Sequence, residues 1–434
     1  MESVYLGQTG VEVSVVGFGS YRIRESMPEH KQALKLALEN GCNLIDTSSN
    51  YTDGSSEKLV GQVVSELSSE NREKVVLVTK IGFNDGRASF SELNLREELS
   101  ESSRRLQTQC IDIVLLHKPE YLLKEGMNQD AYYQTLSEAL KFLQKQVEEK
   151  KIRFYGISCN SFIDPENSPE YTSLDVLQTI VTENSLFGFA VIEFPLNLLE
   201  QNAALLPNHA GCPLLDFARN HGIGTLINRP LNAFFGDRIF RLSGFSAHHG
   251  KDVAMNLKTT FQKAMELEGR IFELYPTEKI ALAHIIQKDF DSLKDPVLWK
   301  EILDYRALPS LTKALDTLKK LSNEQLAEEY EKTMHVFFEA LTWYLESQAA
   351  AESRAITLAL TKAAPELKTS PTLTQKAIRV VRSIPGVDCV LVGMRQPTYV
   401  KDALQVEQRL SPEKAFASLR AAKAVADTLA TARQ

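Results

Sequence analysis

The chain has 434 residues, 43% of them hydrophobic and 24% charged, with a net charge of −7 and a pI near 5.8. This composition suits a globular protein built as one large α/β barrel or as two to three smaller domains. The acidic balance, with no lysine- and arginine-rich block, argues against a nucleic-acid surface, and no apolar run reaches the ~18 residues of a membrane span.

At the start, Met1 to Gln8 lacks the charged and apolar regions of a secretory signal. The five cysteines, at 42, 110, 159, 212 and 389, show neither CxxC nor metal spacing. Both observations predict a cytoplasmic protein with free thiols. Val4–Leu6 and Val11–Val15 alternate about Gly7-Gln8-Thr9-Gly10, which predicts a short hairpin. Val15–Gly19 enters a strand. Glu29–Leu38 sets Ala33, Leu34, Ala37 and Leu38 on one helical face and ends at Asn40-Gly41.

Strand and helix then alternate. Strands are expected at Asn43–Asp46, Val75–Thr79, Ile111–Leu116, Ile152–Ile157, Ala190–Phe194, Gly224–Ile227 and Asp388–Val392. Between them lie helical patterns at Glu57–Leu67, through Leu95, Leu99 and Leu106, through Leu136 to Val147, and at Leu174–Val181, Leu214–Asn220 and Ala377–Val381. Apolar strands separated by helices imply a parallel sheet covered on its outer face, and eight repeats imply a closed (β/α)8 barrel. No G-x-G-x-x-G follows the first strand, so a dinucleotide-binding open sheet loses its main support.

The rhythm breaks once, between Pro230 and Pro385. Apolar stripes recur at Leu257 to Ile271, after Asp295-Pro296, and from Leu326 through Tyr330 and Phe337 to Tyr344. The reading is a mainly helical insertion, 235–369, dividing a barrel formed by 1–234 and 370–434. The aromatic stripe is expected to be core, and His248-His249 a surface pair. Ser411-Pro412-Glu413 opens a C-terminal helix.

In a (β/α)8 barrel, the C-terminal ends of the strands share one mouth. Asp46, Lys80 and His117 stand at the ends of the second, third and fourth strands, and Tyr51 on the loop past the second. A free phenol is a weak acid at neutral pH; a neighbouring ammonium lowers its pKa, and a carboxylate behind the ammonium holds that charge in place. A histidine beside them can orient a carbonyl.

These residues sit in D-T-S-S-N-Y-T-D-G-S-S-E, V-L-V-T-K and D-I-V-L-L-H. With Y-L-G-Q-T-G-V-E-V-S, R-F-Y-G-I-S and P-G-V-D-C-V-L-V-G, the chain resembles the aldo-keto reductases over Val4–Leu231 and about Thr372–Leu404. The resemblance implies carbonyl–alcohol interconversion with NADPH, in preference to NADH. Tyr51 would donate the proton, Lys80 and Asp46 tune it, and His117 position the substrate. Tyr21 and Phe83, with Tyr51 and His117, would line the substrate site.

The same resemblance assigns cofactor contacts to Ser158, Asn160, Glu193, Arg229, Leu231, Gly393, Arg395 and Asp402. Several depart from the family pattern. Cys159 separates Ser158 from Asn160, Glu193 replaces a glutamine, and Leu196 replaces a stacking tyrosine. Arg229 would meet a pyrophosphate or pair with a nearby carboxylate, and Arg395 a 2′-phosphate. The second reading is a cofactor-binding regulatory subunit acting on a protein partner through its insertion. A lyase or isomerase would need a metal cluster or a phosphate-binding glycine loop, and neither is evident.

Overall fold

In a computed structural model of the chain, which describes residues 1–236, 238–245, 252–293, 295–405 and 407–431, eight parallel strands close into a barrel. They are β1 (Val16–Gly19), β2 (Leu44–Asp46), β3 (Val76–Ile81), β4 (Ile111–His117), β5 (Ile152–Ser158), β6 (Phe189–Pro195), β7 (Gly224–Asn228) and β8 (Cys389–Gly393). Each pairs with its neighbours in chain order, and β8 closes onto β1. β3 and β4 are buried along their whole length, as strands sheathed by helices must be.

Four of the helices between strands start on side-chain caps. Ser91, Asn128, Ser173 and Thr372 each accept from the backbone N–H three residues on, opening Glu92–Leu106, Gln129–Glu148, Leu174–Glu183 and Leu373–Arg382. The Glu92–Leu106 helix then turns Leu95, Leu99 and Leu106 inward.

Two features direct the site to one end. The hairpin Ser3–Tyr5 with Glu12–Ser14 brings Leu6, Val11 and Val13 into a buried cluster with Leu44, Val76, Val78, Ile113, Leu115, Val191 and Leu226. Each such side chain contributes roughly 1.5–3 kcal/mol by leaving water. The barrel interior is thus filled from below. Along each strand, inward positions recur every second residue, so the apolar series Leu44, Val78, Leu115, Val191 and Leu226 continues two residues later as Asp46, Lys80, His117, Glu193 and Asn228. Gly156 holds β5 against β6: a Cβ there would lie 1.6 Å from the Val191 carbonyl oxygen.

The described residues up to Gly236, together with those from Ala359 on, form one compact unit, and those between form a second. The second unit is mainly helical, with Val253–Leu274, Leu282–Lys288, Pro296–Ile302, Leu308–Lys320 and most of the 40-residue helix Glu324–Ala363. Its core gathers Leu267, Ile271, Trp299, Tyr330, Phe337 and Leu341, so the aromatic stripe is interior. Two of these helices were not expected. Leu308–Lys320 buries Leu311, Leu315 and Leu318, a helical spacing present in the sequence. Leu282–Lys288 lacks a side-chain cap of its own. The buried Glu268 accepts from the Ala283 and His284 N–H groups instead, at 2.7 and 3.1 Å. His248-His249 lies outside the described residues.

Candidate active site

Lys80 lies inside β3, which runs to Ile81, two residues further than its apolar run suggested. Its side chain is fully buried and donates to the Asp46 carboxylate, to the Thr47 carbonyl at 3.2 Å and to the Tyr51 hydroxyl at 3.2 Å. The Glu193 carboxylate lies 3.1 Å from the same ammonium. His117, the last residue of β4, has Nδ1 3.1 Å from the Ser48 hydroxyl. Asp46, Tyr51, Lys80 and His117 are thus brought together, with the Tyr51 and His117 ring centroids 6.0 Å apart.

The loop that presents Tyr51 is left-handed over three successive residues, with φ of 49° at Thr52, 56° at Asp53 and 76° at Gly54. For a β-branched residue such as Thr52 this backbone is strained. The Thr52 hydroxyl anchors it by donating to the Ile23 carbonyl at 2.8 Å. Half-buried Tyr51 also meets the ring of Tyr21 edge-on at 5.0 Å. Tyr21 is 62% exposed, whereas Phe83 is buried, with ring centroids 5.6 Å from His117 and 4.6 Å from Tyr121. These rings surround Tyr51 and His117 with apolar surface.

The electrostatics differ in one respect from the sequence expectation. Lys80 does pull the Tyr51 phenol down, but burial pushes it up more, and the charges of Asp46 and Glu193 add to the rise, so its pKa ends above the ordinary tyrosine value. Lys80 stays an ammonium: burial disfavours its charge, and Asp46 and Glu193 more than restore it. Burial and then the Glu193 charge push the Asp46 carboxyl up to about 8, against the pull of Lys80. His117 is held well below its usual value, by burial first and then by the Lys80 and Lys118 cations, so it is a neutral imidazole.

The expected cofactor contacts are scattered in their present commitments. Ser158 ends β5 and is buried. Asn160 donates to Glu120 through its side chain at 2.9 Å and its backbone at 3.2 Å. Arg229 is paired to Glu200 at 2.5 Å, the carboxylate alternative raised by its sequence. Asp402 accepts from Thr372 and Gln375 at 2.8 and 3.0 Å. Leu231 is half-buried and Gly393 exposed. Arg395 lies near His30, since its cation and that of Arg24 both lower the imidazole pKa after burial does. Leu196, which stands where the family pattern has a stacking tyrosine, is fully buried and presents no open face.

Sequence reading missed two neighbours of the central group, Ser48 and Asn228, and did not set Glu193 against Lys80. Ser48 fixes His117, Asn228 donates to Glu193 at 3.0 Å, and Glu193 meets Lys80. The period-two alternation from Leu226 and Val191 would have found the last two. Among the described residues, no group of three or more His, Cys, Asp and Glu side chains is placed to hold a metal.

Comparison with known proteins agrees with this architecture. The sequence profile of the Aldo/keto reductase family matches residues 15–290, well over half of the chain. The aldo-keto reductase YhdN of Bacillus subtilis is 29% identical over 212 residues, covering 46% of this chain and 59% of the relative. L-galactose dehydrogenase of Arabidopsis thaliana is 32% identical over 158 residues, covering 35% of this chain and 47% of the relative. The chain therefore spans about half the length of these curated relatives. A Klebsiella pneumoniae aldo/keto reductase, solved in complex with NADP and acetate, is 23% identical at a TM-score of 0.38, covering 53% of this chain and 69% of that one.

Proposed function

Because the chain belongs to the aldo/keto reductase family, we propose that it is an NADP-dependent oxidoreductase that interconverts a small aldehyde or ketone and its alcohol, with Tyr51 as proton donor. The observation that carries this reading is the Tyr51 hydroxyl 3.2 Å from the buried Lys80 ammonium, with Asp46 behind it and His117 alongside. In the reducing direction the Tyr51 O–H bond breaks as the proton passes to the substrate oxygen, and Lys80 stabilises the phenolate left behind. Neutral His117, steadied at Nδ1 by Ser48, keeps Nε2 for the carbonyl oxygen and cannot compete as a stronger acid. Tyr21 and Phe83 supply apolar surface beside the reacting groups.

A bound nicotinamide supplies the hydride in this chemistry. The donor set fits one: Asn228 Oδ1 is a buried acceptor without a hydrogen-bond partner, Glu193 Oε2 beside it meets only the Lys80 ammonium, and a carboxamide NH2 offers two donors. Ser158 belongs to the same contact region, with Gly393 and Leu231 further along the mouth. Arg395, beside Arg24 and His30, suits a 2′-phosphate and so favours NADP over NAD. Arg229, Asn160 and Asp402 would contribute only by giving up or sharing their present partners. In this reading residues 1–234 and 370–434 make the reductase barrel, 235–369 is an insertion, and the protein works in the cytoplasm.

The deciding experiment is Tyr51→Phe with NADPH binding followed by fluorescence. We expect a roughly 100- to 10,000-fold loss of carbonyl reduction, the range of a lost general acid, with NADPH binding retained. Reduction at the wild-type rate would overturn the reading. A second reading, a cofactor-binding subunit for a protein partner, draws on the exposed Met255, Phe272, Leu274 and Ile285 of the helical unit. It predicts partner binding that Tyr51→Phe leaves intact.

A further inference from the structure

Glu193 occupies an inward position at the mouth end of β6 and is 2% exposed. One of its oxygens accepts from Asn228 at 3.0 Å, and the other lies 3.1 Å from the Lys80 ammonium. Lys80 already donates to Asp46, so one buried cation answers two buried carboxylates, and the Tyr51 hydroxyl touches the same cation. The other strand ends facing this group bring neutral Ser158 and Asn228, neutral His117 with Lys118 beyond it, and the glycines Gly19 and Gly393. Two buried carboxylates around one ammonium leave a negative charge that is costly unless a proton is kept.

We propose that Glu193 is a positioning residue for the Lys80–Tyr51 pair, and that by sharing the Lys80 ammonium it makes the Asp46–Lys80–Glu193 group retain a proton whose loss switches off proton donation by Tyr51. This rests on Tyr51 being the donor. While the extra proton is present, the group is neutral as a whole, and the Lys80 charge meets the phenolate formed when Tyr51 gives up its proton. Once the extra proton leaves, the group is negative, and the phenolate would form beside a second uncompensated charge. The Asp46 carboxyl, pushed up by burial and then by Glu193 against the pull of Lys80, carries this proton. Reduction should therefore be fullest while that proton is held and fall as the pH rises through its loss.

The test compares the full-length wild type, Glu193→Gln, Glu193→Asp and Tyr51→Phe, with two readouts. One is the pH profile of NADPH-dependent carbonyl reduction; the other is the infrared carbonyl band of a protonated carboxyl in the protein alone. Wild-type reduction should fall about tenfold per pH unit above the transition, as for one essential proton. The carboxyl band should disappear over the same range. In Glu193→Gln, Lys80 serves a single carboxylate, so both the alkaline fall and the neutral-pH band should be lost. Glu193→Asp keeps the charge and should restore both. A Tyr51-dependent activity whose profile is the same in wild type and Glu193→Gln overturns the role of Glu193 alone. The absence of a titrating carboxyl band in the wild type overturns it too. Absence of turnover, or turnover indifferent to Tyr51→Phe, sinks the donor reading and the switch with it.

Discussion

A lysine with no solvent exposure keeps its charge only while acids around it answer for lost water. Lys80 meets that condition twice, through Asp46 and Glu193. Removing the ammonium leaves two buried carboxylates facing each other. Lys80→Met should therefore destabilise the barrel by about 3–5 kcal/mol, the cost of breaking a buried pair from one side. Urea denaturation measures this, and adding Glu193→Gln to Lys80→Met should recover part of the loss; a double mutant no more stable than Lys80→Met would contradict the shared-charge arrangement. Asp46, Lys80 and His117 were legible in the sequence because each closes an apolar run. Glu193 was legible as a residue but not as a neighbour of Lys80, since that contact spans separate strands.

At the scale of elements, the mouth is assembled from turns that leave ordinary backbone geometry. Lys118, just past β4, and Arg229, just past β7, both have φ of 52°, matching the left-handed run after Tyr51. Such turns let each strand end on a side chain aimed at the centre while the chain reverses outward. The strands themselves allow little slack. At Gly156 an added methyl meets the backbone of β6 rather than a side chain that could swing away. Gly156→Ala should destabilise the barrel by more than the roughly 1–3 kcal/mol of a typical overpacked core. Circular dichroism and solubility of the expressed protein report on it, and a variant folding with unchanged stability would show that β5 and β6 can part. Strand positions were readable to within a residue or two because apolar runs and turn residues mark them. The Leu282–Lys288 helix was not, because its cap comes from Glu268, outside the segment.

Across the whole molecule, the helical unit has a core of its own centred on Trp299, which is fully buried and donates to the Thr342 hydroxyl at 2.9 Å. Trp299→Ala should lower the stability of that unit by about 3–5 kcal/mol. Hydrogen exchange of the Val253–Leu274 amides would register the change, and unaltered protection there would mean the tryptophan is not central. Among the described residues no helix is long and apolar enough to cross a membrane. The sequence by itself determined the alternating strands and helices, the barrel they imply and the order of Asp46, Tyr51, Lys80 and His117, because periodicity and strand-end position are local properties. Only the tertiary structure decided which charges meet. Closure of the barrel brings β2, β3 and β6 to one mouth, setting Glu193 against Lys80 and raising the Tyr51 phenol where Lys80 alone would lower it. Burial and charge add over distances in space, and chain order does not encode those distances.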